Sequence, residues 1–236
     1  MVYYVMFKQL PLGISLPENV TFANFVAGEN LALLDTLQKF CVGEGNEQHL
    51  YLWGQNSVGR SHLLQAACHQ AAENNWVTAY IPLIQAHEFD STLLQDLQHL
   101  QLICIDDVQA IAGNKEWEQA LFYLYQRALD TKTRVIWSAN APPARLTLQL
   151  ADLRSRLAAS LVLQIQPLND ADKLHALQQH AAERGLTLPD SVGQYLLAHC
   201  SRQMKDLFTI LDKLDREALI AQRALTIPFI KQVLNL

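Results

Sequence analysis

Residues 54–61 read Gly54-Gln55-Asn56-Ser57-Val58-Gly59-Arg60-Ser61. Glycines at this spacing leave successive backbone N–H groups free to converge on an anion. The usual pattern of such loops is G-x-x-x-x-G-K-[ST], and Arg60 stands here in the lysine position. An apolar strand pattern, residues 49–53, precedes the loop, and a helical one opening at Ser61 and His62 follows it. Strand, loop and helix in that order aim the positive end of a helix at a phosphate. Gly54, Ser57, Val58, Gly59, Arg60, Ser61 and His62 are therefore the expected nucleotide-binding residues. A guanidinium is bulkier than an ammonium and reaches further. The loop is accordingly expected to favour a diphosphate and to turn over poorly by itself.

A second chemistry-bearing element is Asp106-Asp107, which closes the apolar run over residues 100–105. Asp106, with the Ser61 hydroxyl, suits Mg²⁺ either directly or through water, and Asp107 suits a place near an attacking water. Two aspartates alone also read as a solvated loop cap; behind a phosphate loop the functional reading prevails. Asn140 follows the next strand pattern, at the carboxyl end where ligands sit in parallel α/β sheets. There it can orient a water or touch a terminal phosphate, although asparagine before Ala-Pro-Pro is also an ordinary turn former. Arg154 and Arg156 lie in Leu150-Ala151-Asp152-Leu153-Arg154-Ser155-Arg156-Leu157. Taken alone they are a solvated helix face.

These residues need a scaffold, and the hydrophobic pattern supplies one. Strand signals at residues 49–53, 76–82, 100–105, 134–138 and 161–165 alternate with helical stretches at 27–40, 61–74, 91–97 and 116–129. That alternation predicts an α/β fold with a parallel sheet covered on both faces. From Asp170 onward the strand signals stop, and helical stretches at 170–184, 190–199, 203–221 and from Pro228 predict a small helical lid. The expected organisation is an extended arm over residues 1–19, a nucleotide-binding unit over 20–166 and the lid over 167–236.

Composition narrows the partners. A net charge of −5 argues against a general electrostatic grip on nucleic acid. Half of the residues are hydrophobic and only 17% charged, an apolar balance that fits surfaces covered by partners and allows a homo-oligomer. Cys41, Cys68, Cys104 and Cys200 are scattered without a C-x-x-C pair, which predicts free thiols in a reducing cytoplasm and no metal cluster. The apolar start, residues 1–7, is too short for a membrane span, and Lys8 follows it where a signal peptide would have a basic region first.

The order of phosphate loop, acidic pair, asparagine after a strand, arginine in an LxSRL stretch and helical lid resembles the AAA+ ATPases. More narrowly it is similar to the bacterial replication initiator DnaA and its regulatory relatives. Residues 21–28, Thr-Phe-Ala-Asn-Phe-Val-Ala-Gly, match the initiator's lead-in segment, and residues 59–64 its phosphate loop. The resemblance runs over essentially the whole sequence after residue 8. The sequence given closes at Leu236, where the initiator continues into a DNA-binding domain, and it carries Gln9-Leu10-Pro11-Leu12 near its start. Both features, with Arg60 and the closing residues 225–231, resemble the regulatory branch.

The resemblance implies a cytoplasmic AAA+ P-loop protein with ADP as its nucleotide and with Mg²⁺ as a candidate companion. Its expected activity is to stimulate hydrolysis of ATP on DnaA, so preventing a second initiation, while docked on the DNA-loaded sliding clamp, the DNA polymerase III beta subunit. Gln9, Leu10 and Leu12 would bind the clamp, with Gly13-Ile14 departing from the family's usual Pro-Leu. DNA would be met only through the clamp. Arg156 matches the family's arginine finger, acting in trans, and is preferred to Arg154. Lys205 falls at the lid sensor where the initiator has arginine, with Arg202 one helical turn away able to substitute in part. Val20, Phe25 and the lid are expected at the base. Two other classes stay open: an autonomous ATPase of the helicase-loader kind, with which the acidic pair is compatible, and a DNA-targeting adaptor.

Overall fold

Along the central strands, apolar side chains alternate between two buried faces, and that alternation builds the molecule. In the computed structural model, which describes residues 20–235, the strands are β1 (His49–Trp53), β2 (Thr78–Pro82), β3 (Leu102–Asp106), β4 (Arg134–Ala139) and β5 (Leu161–Gln164). All pair in parallel, in the order β2-β3-β4-β1-β5. Gln9, Leu10 and Leu12 lie outside the described residues.

Tyr51, Ile81, Ile103, Ile105, Val135 and Trp137 point to one face, where helices α3 (Lys115–Thr131) and α4 (Ala151–Ala158) cover them. Leu50, Leu52, Tyr80, Leu102, Cys104 and Ile136 point to the other, under α1 (Leu31–Cys41) and α2 (Arg60–Glu73). Burial on both faces is why these strands read as continuous apolar runs. Leu64 of α2 is wholly buried in the second cluster, and its truncation to alanine is worth about 2–5 kcal/mol by the usual cost of a core cavity. Strand β5 lies at the sheet edge and leaves Val162 exposed.

Two sequence expectations shift locally. Trp76 does not begin a strand. The helix α2 ends with Asn75 in the left-handed region, and the Asn75 and Trp76 N–H groups donate back to Ala72 and Ala71. That paired arrangement is a Schellman cap, and it absorbs Trp76 before β2 can start. Residues 91–97 form no α-helix either. The Asp90 side chain accepts from the Thr92 N–H and holds one short 3₁₀ turn, Ser91–Leu94, followed by a second at Leu97–His99.

The lid consists of α5 (Asp170–Ala182), α6 (Asp190–His199), α7 (Met204–Ala221) and α8 (Ile227–Leu234) around their own core of Leu177, Leu196, Leu207, Leu211, Leu214 and Ile230. Side-chain caps start two of them: Asn169 accepts from Asp172 N–H and Thr226 from Phe229 N–H. The joint is held by buried Asn30. Its amide donates to the carbonyls of Ala27 and Gln166, and its carbonyl accepts from the Gln166 N–H at 2.7 Å. No helix among the described residues is long and apolar enough to cross a membrane.

Candidate functional site

The loop from Gly54 to Gly59 joins the carboxyl end of β1 to the first turn of α2. Two glycines are forced by space. A Cβ on Gly59, whose φ is +96°, would stand 2.6 Å from the Phe25 ring. One on Gly54 would meet the Val58 side chain at 2.8 Å and the Ile165 carbonyl at 3.1 Å. Ser57 also takes a positive φ, 63°. The result is a concave backbone at a helix N-terminus, the local form that gathers N–H groups around an anion.

Arg60 does not project outward. One terminal nitrogen of its guanidinium donates to the carbonyls of Gly54 and Gln55, the latter at 3.0 Å, and the other donates to Asp107 Oδ1 at 2.8 Å. Its Nε is buried and has no protein partner among the described residues. Asp107 sits in the left-handed region, at φ 57°, and its Oδ1 also accepts from the Gln109 amide at 2.7 Å. The Gln109 carbonyl in turn accepts from the Asn140 backbone N–H at 3.1 Å. The Asn140 side chain itself is exposed.

Asp106 is almost fully buried. Its two oxygens accept from the Tyr80 hydroxyl, at 2.7 Å, and from the Ser138 hydroxyl, whose oxygen accepts from the Asp107 N–H at 3.1 Å. Burial first, and the Asp106 charge second, hold the Tyr80 phenol well above its ordinary range, so Tyr80 is a lasting donor. Tyr80, Ser138 and Gln109 escaped the sequence reading. The sheet register brings in the first two: Pro82 pairs with Asp106 and Ile105 with Trp137, so Tyr80 and Ser138 flank the carboxylate from the neighbouring strands.

The lead-in segment crosses the start of α2. His62 Nε2 lies 2.8 Å from the Thr21 carbonyl and donates to it, and the His62 ring lies 5.5 Å from that of Phe25. Burial lowers the His62 pKa, which keeps this ring neutral. Val20, next to Thr21 in sequence, is half-buried. From the lid, the Gln203 carbonyl accepts from the Ser57 hydroxyl at 3.2 Å, and Glu183 accepts from the Asn24 amide at 3.3 Å. Lys205, the expected sensor, is exposed in the first turn of α7, and Arg202 pairs with Asp170. Gln203, at the cap of that helix, is tied to the loop by this hydrogen bond; no motif singled it out.

Arginines 154 and 156 lie on α4, whose Leu153 and Leu157 are wholly buried in the sheet core. Arg156 is exposed, and among the described residues no side-chain hydrogen bond or ion pair holds its guanidinium; Arg154 is half-buried. A cation on a rigid helix, free at its tip, can enter a site on another molecule. Immediately before this helix, the backbone N–H groups of Gln149 and Leu150 donate to buried Glu118 at 3.1 and 2.6 Å.

Residues 16–164, well over half of the chain, match the family model of the bacterial DnaA ATPase domain. The chain belongs to the bacterial DnaA ATPase-domain family. Residues 170–234 match a second model, the Hda lid domain, so the DnaA-type core here carries an Hda-type lid. Domain III of the replication initiation protein DnaA from Thermotoga maritima has the same fold, with a TM-score of 0.82 at 19% identity, over 94% of this chain and 98% of that one. AMPPCP-bound DnaA from Aquifex aeolicus is similar at a TM-score of 0.72 and 20% identity, over 86% of this chain and 67% of that one. The Thermotoga maritima RuvB Holliday junction branch migration motor gives 0.70 at 14% identity, over 93% and 72%. The parallel sheet with its helical lid is thus the AAA+ arrangement shared by DnaA and RuvB.

Proposed function

We propose that this protein is a DnaA-related regulator of replication initiation that holds ADP as a structural ligand and presents Arg156 to the ATP site of DnaA. The observation that carries this reading is the contrast between two cations. Arg60 is tied to the protein's own loop carbonyls and Asp107, whereas Arg156 stands exposed on a helix anchored by Leu153 and Leu157. An arginine delivered across an interface stabilises charge spread over a transferring phosphoryl group and is worth about 10³–10⁵ in rate in comparable NTPases.

The residues present fit a nucleotide. The loop is packed so closely against Val58, Ile165 and Phe25 that only glycine fits at 54 and 59, and the buried Nε of Arg60 has a donor to spare. Gly54, Ser57, Val58, Gly59, Arg60, Ser61 and His62 would hold the phosphates, with Val20, Phe25 and the lid toward the base and Lys205 as the lid sensor. When bound, the nucleotide would supply a charged bridge between the unit at 20–166 and the lid at 167–236, favouring the docking-competent arrangement by mass action. For Mg²⁺ the donors are one carboxylate, Asp106, and the Ser61 hydroxyl, the set of an ion held mainly by phosphate oxygens and water. Asp107 and Asn140 are the candidates nearest hydrolysis in this site. Arg60 and Gln109 already occupy Asp107 Oδ1, which supports poor turnover by the protein itself.

In this reading the arm residues Gln9, Leu10 and Leu12 recruit the DNA-loaded sliding clamp, by the glutamine-and-leucine mode in which an extended peptide fills a preformed cleft. The decisive assay combines DnaA–ATP, loaded clamp and this protein with ADP. Acceleration of DnaA's hydrolysis that is lost in Arg156→Ala supports the reading; no acceleration, or acceleration that survives Arg156→Ala, overturns it. The helicase-loader alternative predicts instead a brisk, partner-independent ATPase.

A further inference from the structure

Glu118 is 1% exposed, and none of the ion pairs among the described residues involves it. A carboxylate so buried is costly unless its lone pairs are filled. Three backbone N–H groups fill them: Oε1 accepts from Gly113 at 2.7 Å and from Gln149 at 3.1 Å, and Oε2 accepts from Leu150 at 2.6 Å. These donors come from two separate places. Gly113 lies in the turn that follows Asp106, Asp107 and the 3₁₀ turn Val108–Ile111. Gln149 and Leu150 are the last two residues before α4, and Leu150 is its N-cap.

The third helical position of α4, where a Glu or Gln would accept from the N-cap N–H, is Leu153, and Glu118 takes that place. Leu150 has no side chain that can accept a hydrogen bond, and no residue of the helix's own sequence caps it. Glu118, on α3, adds a negative charge at that N-terminus from across the fold, beside Asp152 of the helix's own first turn, where it also suits the helix dipole. With eight residues, α4 is too short to hold a direction by its own hydrogen bonds. Its aim depends on Leu153 and Leu157 beneath it and on the tether at its start. Arg156 sits in its last turn, so a tilt at residue 150 moves the guanidinium most.

We propose that Glu118 is a positioning residue for Arg156: its carboxylate fixes the start of α4 against the turn behind the acidic pair and thereby sets where the guanidinium points. This rests on the reading of Arg156 given above. A carboxylate is needed because every one of the three partners donates. Glutamine would turn one NH₂ group toward an N–H.

The test pairs a local readout with a kinetic one, on the full chain with ADP. In Glu118→Gln, amide hydrogen exchange at Gln149, Leu150 and α4 is expected to quicken while the amides of β1, β3 and β4 keep their protection. The maximal stimulated hydrolysis by DnaA is expected to fall by about tenfold or more, since a misplacement near 1 Å costs up to about 10² in rate, with the half-saturating concentration unchanged. Leu150→Pro attacks the same bond from the other side. Residue 150 has φ −80°, which a proline ring accepts, and proline lacks the N–H. It should reproduce the kinetic loss even if Glu118→Gln fails to fold. Unchanged exchange at α4, or loosening spread evenly through the sheet, would overturn the proposal. So would a rise in half-saturating concentration without a fall in maximal rate. If the wild type gives no Arg156-dependent stimulation, the functional reading fails, while the exchange measurement still decides whether Glu118 tethers α4.

Discussion

Arg60 donates to Asp107 across 2.8 Å, so the cation of the phosphate loop and the second carboxylate of the acidic pair neutralise each other inside one site. Both side chains are mostly buried, at 10% and 16% exposure, and the pair is therefore poorly screened by salt. Arg60→Lys removes the fork that reaches Gly54, Gln55 and Asp107 together. The variant is expected to shift the ADP/ATP affinity ratio toward ATP by about tenfold, or about 1.4 kcal/mol, and to raise intrinsic turnover. Titration with both nucleotides and a phosphate-release assay measure it; an unchanged ratio with unchanged turnover rejects the idea that the guanidinium excludes a γ-phosphate.

Arg156→Ala is expected to abolish stimulation of DnaA hydrolysis, with a loss of about 10³ or more in rate. Because Arg156 is exposed, the free energy of unfolding should stay within the range of a surface substitution, about 0.5 kcal/mol. Arg154→Ala, on the half-buried neighbour, should cost far less in rate. Equal losses at the two positions would remove the preference for Arg156.

The arm gives a separable prediction. Replacing Gln9 and Leu10 with alanine should abolish clamp-dependent stimulation while ADP affinity stays at the wild-type value. Surface-plasmon binding to the loaded clamp and nucleotide titration read the two halves independently. Retained clamp binding would place recruitment elsewhere on the molecule.

His49 makes the fold sensitive to acid. It is 4% exposed, stacks on Tyr125 at 3.7 Å and accepts from the Trp137 indole at 3.2 Å. Burial pushes its pKa from 6.5 down to about 3. Below pH 6.5 the unfolded chain takes up a proton that the folded chain refuses until about pH 3. Stability therefore falls with pH across that window, by at most about 1.4 kcal/mol per unit for this one group. His62, lowered by burial as well, adds in the same direction. Denaturant unfolding between pH 7 and 4 should be less pH-dependent in His49→Phe than in the wild type; identical slopes would assign the acid sensitivity to other groups.

Much of this site is written locally in the sequence. The phosphate loop, Asp106-Asp107 and the arginines of α4 each occupy a few consecutive residues whose spacing has a direct geometric meaning, and the apolar runs around them set the strand–helix alternation. What escaped is the set of groups that hold those residues in place. Tyr80 and Ser138 reach Asp106 only through the parallel register. Glu118 meets Gln149 and Leu150 across 31 and 32 residues, and Gln203 meets Ser57 across 146. No periodicity marks such pairs, because each side is an ordinary polar residue until the fold closes. The conduct of Arg60 was half-legible: its bulk is evident from its type, but its return onto Gly54 and Gln55 depends on where β3 brings Asp107.

The amide of Asn30 imitates a missing strand partner, grasping residue 166 by both its N–H and its carbonyl while also holding Ala27. A swing of the four-helix cap must then pivot beyond residue 166, on the Pro167–Leu168 side. The chain upstream of Asn30 and residue 166 then stay together on the near side of that pivot, so the lead-in keeps its place on the sheet unit while the cap swings.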